Sequence, residues 1–231
     1  MNVFIGTEGT GHTFPGPSMP FGMIQPGPDN RDFGWDYTSG YQYKDTLLSG
    51  FSQTRFSGTG ISEMGDVLLL PINPKKEKLK HSYFKNTETG KVGYYSLTKK
   101  DDIKVELTCS ERVAFHRYTF PEKEAKGLVD LQHGLRFVFD EKNQTGLVTE
   151  SDVKIESNTT ISGYCSTRNW VNRKYFFTVT FDQPFVKSTL LDKKENEKAP
   201  KYILDFTLSK NRELKVKIAL SSVSVEGAKL N

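Results

Sequence analysis

From residue 66 onward, apolar and polar side chains alternate in several segments, and that period of two decides the fold class. Ile103-Lys104-Val105-Glu106-Leu107-Thr108-Cys109 alternates strictly, and Leu214-Lys215-Val216-Lys217-Ile218 repeats the pattern near the end. One face apolar and the other polar is what a half-buried strand requires. Arg112–Phe120, Thr159–Cys165 and Lys174–Phe181 are further β-branched and aromatic runs. Turn-rich breaks such as Asp140–Asn143 and Leu191–Glu197 separate many of them. No segment keeps apolar residues at i, i+3, i+4 and i+7 for three turns, as an amphipathic helix would. About a dozen strands are expected on this pattern, and that number calls for two packed sheets. The expected fold class is all-β, a two-sheet antiparallel sandwich with a long Gly/Pro/aromatic loop region at its N-terminus.

That loop region is residues 1–65, which hold 12 of the 19 glycines, 10 of the 28 aromatic residues and 5 of the 10 prolines. Gly and Pro oppose regular helix by about 1 and 3 kcal/mol each. Flexible linkers, in turn, are not loaded with Phe, Tyr and Trp. Ordered loops held by aromatic packing remain, and loops of that kind usually build a site.

Charge excludes little but sets limits. Residues 1–65 carry 3 basic and 6 acidic side chains, a net of −3, against 29 basic and 22 acidic beyond them, a net of +7. Lysines such as Lys75-Lys76 and Lys99-Lys100 are scattered along strands and turns, which suits a solvated surface rather than a nucleic-acid patch. No apolar run reaches the roughly 18–20 residues of a membrane span. Met1-Asn2-Val3-Phe4 has neither the basic start nor the apolar core of a signal peptide. The chain is therefore expected to begin either as a cytoplasmic protein or after removal of a leader.

Sugar sites pair an aromatic plate, which packs on the C–H face of the ring, with polar groups that meet hydroxyls. Trp35-Asp36, flanked by Asp32, Tyr37, Tyr41 and Tyr43, has that composition. Tyr41 and Tyr43 suit core positions equally well. Trp35, between Gly34 and Asp36, has poor strand context and points to a site. His12, between Gly11 and Thr13, suits a sugar ligand or a partner for loop carbonyls. Other chemistries have little support. Gly58-Thr59-Gly60 lacks the Lys-Ser/Thr of a phosphate loop, and Ser52, Ser57 and Ser62 lie in no G-x-S-x-G elbow. His12, His81, His116 and His133 lack zinc spacing, so no metal site is expected, and His116 in a strand reads as structural. Asp29/Asp32 and Asp101/Asp102 are paired carboxylates in sequence only. Cys109 and Cys165 lack metal spacing, and whether they pair is open.

The run from Asn2 to Asp29, N-V-F-I-G-T-x-G-x-G-H-T-F-P-G-P-x-x-P-F-G-M-I-Q-P-x-P-D, is distinctive. Together with G-W-D-x-x-S-G-Y-x-Y-x-D (Gly34–Asp45) and G-F-S-x-T-x-x-S-G-T-G (Gly50–Gly60), it resembles the N-terminal domain of glycoside hydrolase family 92. The likeness continues through Gly93–Ser96, Glu106–Thr108, Arg112-Val113 and Tyr118–Pro121 to Val223–Ala228.

The resemblance implies an exo-acting α-mannosidase, often α-1,2-specific, of the type abundant in glycan-degrading Bacteroidetes. Its β-supersandwich, residues 1–225 here, would pack on an (α/α)6 barrel, with residues 226–231 starting the linker. It implies a calcium-dependent, inverting enzyme whose general acid, base and most calcium ligands belong to the barrel. On that basis no catalytic residue, metal ligand or activity is expected within this chain. Trp35 would form part of the leaving-group sugar site. His12-Thr13-Phe14 and Ser57-Gly58-Thr59-Gly60 would face the barrel, giving Trp35, His12, Asp36, Ser57 and Thr59 as expected substrate contacts. Without the barrel, Phe14, Phe21, Phe33 and Trp35 should form an exposed apolar patch. Gln53 stands where the family often has histidine, which implies a shift in specificity. Mannose-containing glycans and the barrel are the implied partners, and the periplasm, cell surface or exterior the implied location. The rival reading is a stand-alone carbohydrate-binding or adhesion module.

Overall fold

The computed structural model describes residues 1–76, 81–136, 147–193, 195 and 197–231. Among these, fourteen strands form two sheets in which every ladder is antiparallel. One sheet runs β1 (Gly27–Asp29), β2 (Gly50–Ser52), β3 (Leu68–Ile72), β8 (Glu124–Asp130), β13 (Lys201–Thr207) and β12 (Phe185–Leu190). The other runs β4 (Thr89–Lys91), β5 (Tyr94–Thr98), β6 (Lys104–Cys109), β7 (Val113–Thr119), β14 (Glu213–Ser221), β11 (Asn172–Phe181), β10 (Thr160–Arg168) and β9 (Val148–Ser157). The expected all-β sandwich is observed. The turn expected at Asp140–Asn143 lies outside the described residues, as do Lys194 and Asn196 of Leu191–Glu197.

The period-two segments become strands in the expected register. Val105 and Leu107 of β6, and Leu214, Val216 and Ile218 of β14, are buried in one core with Phe177, Val179, Val129 and Phe206. Glu106 lies on the opposite face yet is shielded, because Arg117 beside it on β7 donates to both carboxylate oxygens at 2.8 and 2.9 Å. Those bonds, against the opposing effect of burial, hold the Glu106 carboxyl down at about 2.

Other sequence expectations are resolved by burial. Lys99 is not a surface lysine: it is buried, paired with Asp101 at 2.8 Å, and donates to the Pro71 carbonyl. Cys109 and Cys165 are both free thiols. Tyr41 is a core residue whose hydroxyl donates to Glu88 at 2.8 Å, whereas Tyr43 is exposed, with Lys85 Nζ 3.9 Å from its ring centroid. His116 is structural, and burial pushes it down to about 3, so it is neutral. Its Nε2 lies 3.0 Å from Gln53 Oε1, and the Gln53 amide donates to the Phe51 and Val67 carbonyls. Gln53 thus links the two sheets from the interior and does not reach the loop surface. At the other end, Val225–Leu230 forms a short helix, α1, with Ser224 Oγ accepting from Gly227 N at 3.0 Å. It docks on β10, β11 and β14 through the buried Ala228.

Candidate functional site

The two three-residue strands β1 and β2 pair at the edge of the six-stranded sheet, and the aromatic loops hang from that edge. One buried side chain gathers them. Arg55 donates to the carbonyls of Gln25, Gly27, Pro28, Ser39 and Ser52 at 2.8 to 3.1 Å, and pairs with Asp29 at 2.9 Å. Loop carbonyls have no ladder partner, and a guanidinium with five N–H donors is the side chain able to satisfy several at once. Gly40 completes the hub: its φ is +83°, and a Cβ there would sit 2.2 Å from Asp29 Oδ1.

His133 closes the network, with Nε2 2.9 Å from Asp29 Oδ2. Burial lowers the His133 imidazole, but the Asp29 hydrogen bond and charge outweigh it, so the net shift is upward. Burial likewise raises the Asp29 carboxyl, while Arg55 and His133 bring it below its ordinary value. A histidine raised on folding stabilises fully below its unfolded pKa of about 6.5 and loses that contribution as pH rises through the folded value. The Asp29 contribution is present above about pH 4 and is lost as pH falls through its lowered value. Wild-type Tm should therefore fall relative to His133→Gln as pH rises above about 6.5. Thermal unfolding across that range checks it, and parallel curves would contradict it.

Above this hub the expected residues converge in part. Trp35 opens a one-turn helix, Trp35–Tyr37, after Gly34 at φ 101°, and its indole is 51% exposed. His12, held in the left-handed region at φ 54°, is buried at 4% exposure with its ring edge-to-face on Trp35, centroids 4.8 Å apart. Left-handed backbone costs a non-glycine residue about 1–2 kcal/mol, and such strain gathers at functional sites. Among the described residues, His12 Nε2 has no hydrogen-bond partner. Gly60, at φ +64°, packs against both rings: a Cβ there would lie 2.9 Å from Trp35 Cη2 and 3.1 Å from His12 Nδ1. Gly58 N donates to the His12 carbonyl at 2.7 Å, and Gln42 Nε2 donates to the carbonyls of Gly9 and Asp36. Asp36, Ser57 and Thr59 are exposed on these same loops.

Phe21, Phe33 and Trp35 are exposed as expected, but Phe14 is not. Its ring lies over the Arg55 guanidinium at 5.0 Å, so cation–π packing at the hub draws it inward. The paired carboxylates are committed elsewhere: Asp29 to Arg55, Asp32 to Arg136, Asp101 to Lys99 and Asp102 to Lys76. Calcium needs six to eight oxygen ligands, mostly carboxylate or carbonyl. Among the described residues no three His, Cys, Asp or Glu side chains converge on a metal position.

Sequence reasoning missed a second surface element, the β10–β11 hairpin tip. Trp170 there is 65% exposed. Its backbone N–H donates to the buried Glu63 Oε2 at 3.0 Å, and Asn169 Nδ2 donates to the Ser62 carbonyl at 2.7 Å. Arg173 grips Asp66 with two bonds, at 2.9 and 3.0 Å.

The chain is thus an antiparallel sandwich whose edge loops set a half-exposed tryptophan against a buried imidazole. The Glycosyl hydrolase family 92 N-terminal domain matches residues 1–221, and the chain belongs to that family. It is 29% identical to the family GH92 alpha-mannosidase BT3965 of Bacteroides thetaiotaomicron, solved with mannoimidazole, at a TM-score of 0.86 over 100% of this chain and 33% of that one. The inverting mannosidase BT2199 of the same species shares the fold at 20% identity and TM-score 0.75, over 98% of this chain and 31% of that one. An uncharacterized secreted glycosidase of Arthroderma benhamiae is 29% identical over 138 residues, 54% of this chain and 18% of the relative. The chain thus spans about a third or less of the length of these relatives.

Proposed function

We propose that this chain is the N-terminal domain of an exo-acting, inverting α-1,2-mannosidase and forms one wall of its substrate site. Residues 1–225 would pack on a barrel that supplies the general acid and base. One carboxyl would protonate the leaving oxygen and the other would activate water on the opposite ring face. Calcium would take most of its ligands from outside these residues. Family membership and the 29% identity to a GH92 alpha-mannosidase support the reading, and the fungal relative, described as secreted, supports action outside the cytoplasm or in the periplasm.

The observation that carries it is the Trp35–His12 pair. An exposed indole offers its face to the C–H side of the leaving-group sugar. The buried His12 ring packs edge-to-face against that indole, centroids 4.8 Å apart, and would hold it in place for stacking. Asp36, Ser57 and Thr59 would meet further hydroxyls at the rim.

Trp35→Ala tests this in the whole enzyme. A stacking contact worth about 1–3 kcal/mol corresponds to a roughly 5- to 150-fold lower kcat/KM, with Tm little changed. A buried core tryptophan would instead cost about 3–5 kcal/mol of stability. A variant melting far below wild type, with full activity in its folded fraction, would refute the sugar platform.

A further inference from the structure

The turn that carries Trp35 and the turn that leads into His12 are too short to hold themselves. Gly9–Gly11 and Trp35–Tyr37 are one-turn helices, and neither has a side-chain N-cap. One turn fixes several backbone dihedrals for a single hydrogen bond, so it persists only when something outside holds it. We infer that Gln42 is a positioning residue whose side-chain amide fixes the Trp35 indole against His12. The inference rests on the sugar site proposed above and adds the residue that sets its geometry.

The contacts of one buried amide carry it. Gln42 is only 8% exposed, and its Nε2 donates to the Gly9 carbonyl at 2.9 Å and to the Asp36 carbonyl. Gly9 opens the turn that His12 closes, and Asp36 follows Trp35 in the other. Both partners are carbonyls, which only accept, so the amide nitrogen must face them, and its two N–H groups match the two acceptors. The Tyr37 hydroxyl, by contrast, holds one turn alone, donating to Asp45 at 2.8 Å. Because the Gln42 amide bonds both turns, it sets their separation.

Gln42 is itself held from behind. Its backbone N–H donates to Asn30 Oδ1 at 2.8 Å, while Asn30 donates through Nδ2 to the Leu47 carbonyl at 2.6 Å and through its backbone N–H to the Gly40 carbonyl at 2.7 Å. Asn30 directly follows β1, so this run of bonds carries the position of the sheet edge out to both turns. Indole and imidazole are then set edge-to-face before a ligand arrives, which lowers the entropic cost of stacking a sugar.

The test is a double-mutant cycle on α-1,2-mannobiose hydrolysis by the whole enzyme, with Trp35→Ala, Gln42→Met and the pair. Gln42→Met, which fills the space and donates to neither carbonyl, should lower kcat/KM about three- to thirty-fold. In the Trp35→Ala background the same change should cost less than about twofold, because a residue acting through the indole has nothing left to position. A purely structural role would cost the same in both backgrounds. Fluorotryptophan labelling gives a readout independent of activity: the fluorine resonance of Trp35, identified by its loss in Trp35→Phe, should shift or broaden in Gln42→Met. Equal losses in the two backgrounds, no loss in the single variant, or an unmoved Trp35 resonance would overturn the inference. If Gln42→Met fails to fold, Gln42→Asn, whose amide is one methylene short of both carbonyls, takes its place with the same outcomes. An inactive wild type would instead sink the mannosidase reading, and a silent Trp35→Ala the sugar platform. In either case the Trp35 resonance decides on Gln42 alone: movement supports the positioning role, and an unmoved line overturns it.

Discussion

Arg55→Met should destabilise the domain by about 3–5 kcal/mol, the usual cost of removing one partner from a buried ion pair. The variant would leave Asp29 charged and fully buried, together with the five loop carbonyls that Arg55 now satisfies. For a domain of this size, each kcal/mol moves Tm by roughly 2–4 °C, so a drop of roughly 6–20 °C is expected. Arg55→Lys should recover only part, because an ammonium has three donors and cannot span the same set of carbonyls. Adding Asp29→Asn to Arg55→Met should return some stability, since the buried carboxylate, then held by His133 without Arg55, is gone. Thermal unfolding of the four proteins measures all of this. An Arg55→Met variant melting like wild type would show that the loops are held by other contacts.

The hub also explains what the sequence could and could not reveal. Alternation in Ile103–Cys109 and Leu214–Ile218 was legible because burial on one face writes a period of two directly into the residue order. Trp35 was legible because Gly34 and Asp36 beside it are incompatible with a central strand. Arg55 was not, since its partners are backbone carbonyls spread from Gln25 to Ser52, and carbonyls carry no sequence signal. Trp170 was hidden for a related reason: its anchors, Ser62, Glu63 and Asp66, lie 107 residues away from the residues they hold. Lys99 and Gln53 misled because a polar side chain ordinarily signals surface. Here each is buried with its own partners, Asp101 for one and His116 for the other.

The second large effect concerns catalysis itself. Hydrolysis needs a positioned acid and base, and losing either typically costs about 10²–10⁴-fold. In this chain Asp29, Asp32, Asp101 and Asp102 are each held in an ion pair, and on the proposed reading the Trp35 loops would supply recognition while the barrel supplies the proton-transfer pair. The direct measurement is release of mannose from α-1,2-mannobiose, with calcium present, by the whole enzyme and by residues 1–231 alone. The whole enzyme should turn over, and residues 1–231 should be slower by at least about 10²–10⁴-fold. Comparable rates from the two would place the acid and base among residues 1–231 and contradict the assignment of this domain as one wall of a shared site.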